Sequence, residues 1–330
     1  MSKPYIIAEV ASAHEGRPEL ALKIAKYVVS AGADAIKLQV FNRDQLLTKT
    51  NPYFDEFGEI EIPPKQWNYI LEQISIENID IIIEPYDMES FQLAAQSGHV
   101  QGYKIPAANM GDTGLLKAAV KTGKPLYLGV GGAEWKEIEQ AVSLFKGIDF
   151  TLMCGFQNFP TSLEDSKLYQ ILQIKDLFGY SVGYADHVNA DDQEMARIVP
   201  ALAVSMGAKV IEKHITDDRT RKGRDHYSAL NPEEFKSFVR LMRCLPNIIG
   251  EEKEWSLSEA EMKYRKFTKR QAVAAREIAV GTKLDLKDIV LKRTNEKGLS
   301  TQDLAEYAGR EFARSKNNDD PLTPEDFVGS

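Results

Sequence analysis

Cysteine is nearly absent: Cys154 and Cys244 are the two thiols in 330 residues. That excludes a disulfide framework and favours a reducing, cytoplasmic setting. No apolar run approaches the ~20 residues of a membrane span. The stretch from Met1 to Glu9 is too short an apolar run for a signal peptide. There is no basic excess either. Lys and Arg number 41 against 49 Asp and Glu, a net charge of −8, which argues against nucleic acid or an anionic membrane as the main partner. It does not exclude an anionic ligand, which needs only a local basic pocket. The segment Ala11-Ser-Ala-His-Glu-Gly16 is not a Gly-rich dinucleotide fingerprint, and neither repeats nor low-complexity segments occur.

What the chain does contain is a regular alternation. Short apolar runs fall at Tyr5 to Val10, Ala35 to Val40, Asp80 to Ile83, Gly102 to Ile105, Pro125 to Val130, Phe150 to Met153, Ser181 to Tyr184 and Lys209 to Ile211. Continuous apolar runs of this length read as buried parallel strands. Between them lie helix patterns at Pro18 to Ala31, Pro64 to Glu77, Glu89 to Gln96, Thr113 to Thr122, Glu134 to Phe145, Leu163 to Leu177, Asp191 to Met206 and Pro232 to Leu245. Several open on Pro, Asp or Thr and stop near Gly. Eight strands alternating with eight helices over about 250 residues predict a (β/α)8 TIM barrel, with an open doubly wound sheet as the rival. Residues 1–250 are assigned to the barrel and 251–269 to a linker or exposed helix. Residues 270–330 form a small β-rich domain, with strands expected at Gln271 to Ala275, Gly281 to Leu284 and Ile289 to Lys292 and a helix at Thr301 to Ala308.

Barrel chemistry sits at the C-terminal ends of strands. Those positions hold Glu9, Lys37, Gln39, Glu84, Tyr86, Lys104, Asn109, Gln157, Asn158, Asp186, His187, Glu212 and His214. Charges on otherwise apolar strands are costly unless they serve a polar pocket. His187 and His214 end adjacent strands and can share one divalent ion of the Mn, Fe, Co or Zn type; two satisfied core histidines are the plainer reading. Lys37 and Lys104 fit a phosphate or carboxylate clamp, with salt-bridged structural lysines or a Schiff-base lysine as alternatives. Gly129-Val-Gly-Gly132 suits either an anion cradle or a tight turn.

The chain resembles the N-acetylneuraminate (sialic acid) synthase family. The motifs are Ile6-Ile-Ala-Glu-Val with His14-Glu-Gly16, Ala31-Gly-Ala-Asp-Ala-Ile-Lys-Leu-Gln39, Tyr103-Lys-Ile105, Thr122-Gly-Lys-Pro125, Val182-Gly-Tyr-Ala-Asp-His187, and Gly207 to Thr216 followed by Gly223-Arg-Asp225. The tail, with Ile278-Ala-Val-Gly281, Lys292-Arg293 and Gly309-Arg310, is similar to the antifreeze-like (SAF) domain that ends these synthases. The resemblance implies a metal-dependent condensation of phosphoenolpyruvate with an aldehyde sugar, N-acyl hexosamine-like. Its products are a nine-carbon 2-keto-3-deoxy acid and phosphate, for surface polysaccharide. It implies His187 and His214 as ligands of a divalent ion, Mn2+ foremost, with Mg2+, Co2+ or Zn2+ as alternatives. Lys37 and Lys104 would bind phosphoenolpyruvate, and Glu9, Gln39 and Asp225 the sugar or a water. Arg293, from a partner subunit's small domain, would cap the sugar in a domain-swapped homodimer.

The chain departs from that pattern at the donor phosphate. Hydroxyl positions of the family read Ala107, Gly129-Val-Gly131 and Ala185, and a Thr-Pro becomes Glu84-Pro85. Each lost hydrogen bond to an anion is worth about 1.5–3 kcal/mol. Either backbone N–H groups replace the hydroxyls or the donor is not phosphoenolpyruvate. Two alternatives therefore stand beside the synthase: a metal-dependent aldolase or lyase using pyruvate or another enolate on the same barrel, and a non-catalytic carbohydrate-binding protein.

Overall fold

The computed structural model describes residues 3–145, 147–158, 160–250 and 254–329; residues 251–253 of the expected linker lie outside them. The chain divides into two compact units, 1–251 and 252–330.

The first unit is a closed parallel barrel in which eight strands pair in sequence order. They are β1 (Tyr5–Glu9), β2 (Ala35–Val40), β3 (Asp80–Pro85), β4 (Gly102–Ile105), β5 (Leu126–Gly129), β6 (Phe150–Cys154), β7 (Ser181–Asp186) and β8 (Val210–His214). Pairing of β1 with β8, Glu9 opposite His214, closes the ring and excludes the open sheet. The helices are α1 (Pro18–Ala31), α2 (Arg43–Leu46), α3 (Phe54–Ile60), α4 (Pro64–Ser75), α5 (Met88–Ser97), α6 (Thr113–Lys121), α7 (Trp135–Ser143), α8 (Tyr169–Phe178), α9 (Met195–Ser205) and α10 (Pro232–Ile249). Local chemistry sets their ends. Helix α1 opens on Pro18 and stops at Gly32, whose φ of 77° is left-handed. Helix α10 opens on a reciprocal cap between Asn231 and Glu234. The helix expected from Leu163 is broken, because Lys167 adopts a left-handed φ of 40° before α8 begins. Helices α2 and α3 were not anticipated; Arg43 stacks 4.1 Å over the Phe54 ring and joins them.

Side chains alternate along each strand between the lumen and the helical layer. Ile7, Ala35, Ile82, Tyr127, Met153, Ala185 and Val210 pack together as the lumen core. Their neighbours of opposite parity, such as Ile6, Ile36, Ile81, Leu128 and Ile211, pack against the helices, with Trp67 of α4 buried among them. This parity decides which polar side chains meet at the barrel mouth.

In the second unit, β9 (Gln271–Ala274) pairs antiparallel with β10 (Ile289–Lys292). They are preceded by α11 (Glu259–Thr268), which buries none of its residues, and followed by α12 (Thr301–Leu304). Leu284, Leu304, Phe312, Leu322 and Phe327 form its core. The strand expected at Gly281 to Leu284 is reduced to a bridge between Lys283 and Glu311.

Candidate active site

The lumen parity continues upward from the apolar core in steps of two residues. Ile7 is followed by Glu9, Ala35 by Lys37 and Gln39, Ile82 by Glu84, Ala185 by His187, and Val210 by Glu212 and His214. These side chains, with Lys104 and Tyr86, line a cavity of about 270 Å³ at the C-terminal ends of the strands, floored by Met153 and Ala185. A larger cavity, about 470 Å³, opens at the other end around Tyr5, Tyr127 and Lys209. The converging buried charges belong to the C-terminal one, where barrel chemistry sits.

The glycines at the rim are dictated by close approach. A Cβ on Gly131 would lie 2.1 Å from the Gly155 carbonyl oxygen, and one on Gly155, with φ of 92°, would lie 2.2 Å from the Ala185 carbonyl oxygen. Both neighbours are backbone and cannot swing aside. Gly131→Ala is therefore expected to destabilise the barrel by about 1–3 kcal/mol, read as a fall in Tm of several degrees; an unchanged Tm would refute this packing.

Five charged side chains interlock inside the cavity. Lys37 Nζ contacts Glu9, lies 2.7 Å from Glu84 Oε2 and 2.8 Å from Glu212 Oε1. Lys104 Nζ lies 2.7 Å from Glu212 Oε1 and 3.7 Å from Glu84 Oε1. Gln39 Nε2 donates to Glu84 Oε2 at 3.2 Å. Of the readings left open for the lysine pair, the salt-bridged one describes this structure. Burial pushes Glu212 upward, but Lys104 and Lys37 outweigh it and hold its carboxyl well below the ordinary range. Burial pushes Lys37 down, against the pull of Glu212 and Glu84. Burial works downward on Lys104 as well, yet Glu212 and Glu84 hold it above its usual value.

Across the cavity the His187 and His214 rings stand 5.2 Å apart. Burial, then the neighbouring His214, pushes His187 well down, and burial pushes His214 down to about 3. Burial thus favours the neutral imidazole at both positions, the form that ligates a metal. Each has a buried Nδ1 with no hydrogen-bond partner, as has Glu212 Oε2. Two neutral imidazoles with orphaned nitrogens suit a divalent ion. Among the described residues no group of three or more His, Cys, Asp or Glu is arranged to hold one, so water or substrate would have to complete the shell.

Asp225 is held beside the cavity. Its Oδ2 accepts from the Ser12 backbone N–H at 3.0 Å and from the Ser12 hydroxyl, and its Oδ1 accepts from Gln157 Nε2 at 2.5 Å. Ser12 was not among the expected residues; 213 positions separate it from Asp225, and no local pattern signals such a pair. Asn109 does not reach the cavity wall: its Nδ2 donates to the Tyr86 carbonyl at 2.9 Å. Asn158 stands outside the lining too, and its backbone N–H donates to Thr161 Oγ1 at 3.1 Å. Arg293 is exposed just after β10 in the second unit.

Asp186 corrects the sequence reading. The sequence places it among the strand-end candidates for substrate contact, but it has the outward parity, one residue off His187. It is 0% exposed and paired with Lys213, also 0% exposed, on the neighbouring strand. A buried pair facing the helical layer holds β7 to β8 and cannot contact a ligand in the lumen. Cys154 likewise faces that layer, and burial raises its thiol to about 12, which makes it a structural thiol.

Residues 24–254 match the model of the NeuB family, and residues 269–328 match the SAF domain. An uncharacterized protein of Methanocaldococcus jannaschii is 30% identical over 329 residues, covering 98% of this chain and 95% of that one. The N,N'-diacetyllegionaminic acid synthase of Legionella pneumophila is 27% identical, covering 92% of this chain and 89% of its own. Among solved structures, the N-acetylneuraminic acid synthetase of Leptospira borgpetersenii, in complex with citrate, superposes with a TM-score of 0.73 at 29% identity, covering 81% of this chain and 93% of that one. No described helix is long and apolar enough to cross a membrane. The chain therefore belongs to the NeuB family, the sialic acid synthase family, and carries its barrel and its C-terminal SAF domain.

Proposed function

We propose that this protein condenses phosphoenolpyruvate with an N-acyl hexosamine-like aldehyde sugar. The products are a nonulosonic 2-keto-3-deoxy acid and phosphate, for a surface polysaccharide, in the cytoplasm. The observation that carries the reading is the meeting of two buried lysines and two buried histidines on one lumen rim, 1–7% exposed. Lys37 and Lys104 bind the donor anion as point charges. The C3 carbon of the enol forms a bond to the aldehyde carbon, and the aldehyde oxygen takes up a proton. Glu9 stabilises the positive centre that develops at donor C2. Water adds there, its two protons balancing the one taken up by the aldehyde oxygen and the one carried off by phosphate; the C2–O bond to phosphate breaks, and the 2-keto acid remains. Asp225, fixed by Ser12 and Gln157, accepts hydrogen bonds from sugar hydroxyls, with Gln39 and Tyr86 on the adjoining wall. A divalent ion, Mn2+ by preference, would be held by His187 and His214 and would polarise the aldehyde oxygen as a Lewis acid. Arg293 of a second protomer would cap the sugar in a domain-swapped homodimer.

Incubation with phosphoenolpyruvate, Mn2+ and a panel of N-acyl mannosamines and related aldoses is expected to release phosphate with equimolar 2-keto acid. His187→Ala is expected to lose roughly 100-fold or more of that activity, since even the groups behind a metal's ligands are worth about 10–100-fold. Silence across the panel, or full activity in the variant, would reject the reading. Glu84 and the missing hydroxyls favour a second one, an aldolase acting on pyruvate. Turnover of pyruvate without phosphate release would select it.

A further inference from the structure

The cavity holds more negative charge than positive: Glu9, Glu84 and Glu212 face Lys37 and Lys104. A phosphorylated donor brings still more. Glu84 and Glu212 both reach the two ammonium groups, but Glu212 does so through Oε1 alone, at 2.8 Å and 2.7 Å, whereas Glu84 gives one carboxylate oxygen to each, at 2.7 Å and 3.7 Å. Bridging two lysines through two oxygens is the contact a donor phosphate or carboxylate would itself make. Gln39 holds Glu84 Oε2 in that position at 3.2 Å. Glu84 is 2% exposed yet lines the cavity together with the lysines, so an incoming anion meets it directly. Pro85, next in the chain, has no N–H to offer in compensation.

The geometry points to Glu84 as a resident counter-anion of the donor subsite, a specificity-determining side chain that competes with the donor for Lys37 and Lys104. This rests on the proposed donor role of the two lysines. Glu84 keeps both lysine side chains ordered without ligand. Its like charge then weakens donor binding and penalises a phosphorylated donor more than a singly charged one.

The test is calorimetric titration of the full chain with phosphoenolpyruvate and, separately, pyruvate, in wild type, Glu84→Gln and Glu84→Thr. Removing one adjacent like charge in a buried site is expected to tighten phosphoenolpyruvate binding at least about tenfold, and pyruvate by clearly less. In turnover the same variants are expected to lower the KM for the donor while leaving the KM for the sugar unchanged, a split that loss of structural support would not produce. Unchanged or weaker phosphoenolpyruvate binding in both variants overturns the inference. A second measurement does not depend on their folding: in wild-type crystals soaked with phosphoenolpyruvate, Glu84 is expected to leave Lys104, and a donor bound with Glu84 still bridging both lysines overturns it as well. The outcome is separable from that of the proposed reaction. Binding can tighten as expected while no sugar is condensed, and condensation can occur with Glu84 irrelevant to affinity.

Discussion

Lys37→Met is expected to lower the unfolding free energy of the barrel by about 3–5 kcal/mol, the scale seen when one partner of a buried ion pair is removed. Lys37 is 1% exposed and contacts three carboxylates. Methionine fills most of the volume but supplies no charge. Glu84 and Glu212 would then keep Lys104 alone, and Glu9 would lose its lysine partner. A buried carboxylate without a cation or donor must be protonated or rehydrated, and either costs stability. Lys104→Met, at the cavity edge and in fewer contacts, is expected to cost less, so the order of the two variants is itself diagnostic. Urea unfolding followed by the fluorescence of the buried Trp67 measures both. A Lys37→Met variant within 1 kcal/mol of wild type would mean that the cluster is not charged as drawn. The same substitution should eliminate condensation, because the donor loses one of its two cations.

The second large effect is a loss of stability in mild acid. His14 is pushed by burial down to about 4 and His214 to about 3, and burial lowers His187 and His226 as well. In the unfolded chain each imidazole returns to its ordinary value near 6.5. The folded pKa being the lower one, the unfolded state takes up protons first as the pH falls. The stability is therefore complete above about 6.5 and declines below it, by roughly 1.4 kcal/mol per pH unit for each neutral buried histidine until its folded value is reached. Asp186 acts in the opposite sense, since burial raises its carboxyl, but it is one group against several. Urea midpoints at pH 7.5, 6.0 and 5.0, with a chelator present, are expected to fall steadily. A flat profile would show that these imidazoles are not held neutral. Chelation matters because a bound ion would add its own proton linkage at His187 and His214.

The two effects have a common origin: ionisable groups brought into an apolar ring where water cannot compensate them. Such clusters mark sites where geometry is maintained at a cost in stability.

The order of elements, the closed eight-strand ring and the small terminal domain were legible in the amino-acid sequence. Continuous apolar runs such as Ala35 to Val40 recur between amphipathic stretches, and helix boundaries like Pro18 and Gly32 carry their own signals. So was the list of polar residues at strand ends, because charge on an apolar strand is conspicuous wherever it occurs. The facing of those residues was not legible. Strands buried on both faces show no alternation between apolar and polar positions, so nothing local separates Asp186, locked to Lys213 outside the lumen, from His187 inside it. Nor does the chain announce that Ser12 holds Asp225, or that Glu84 takes both lysines. These contacts join strands and loops far apart in sequence, and only closure of the ring brings them within hydrogen-bond distance. The residues available for chemistry were thus written in the sequence, while strand parity and register decided which of them meet.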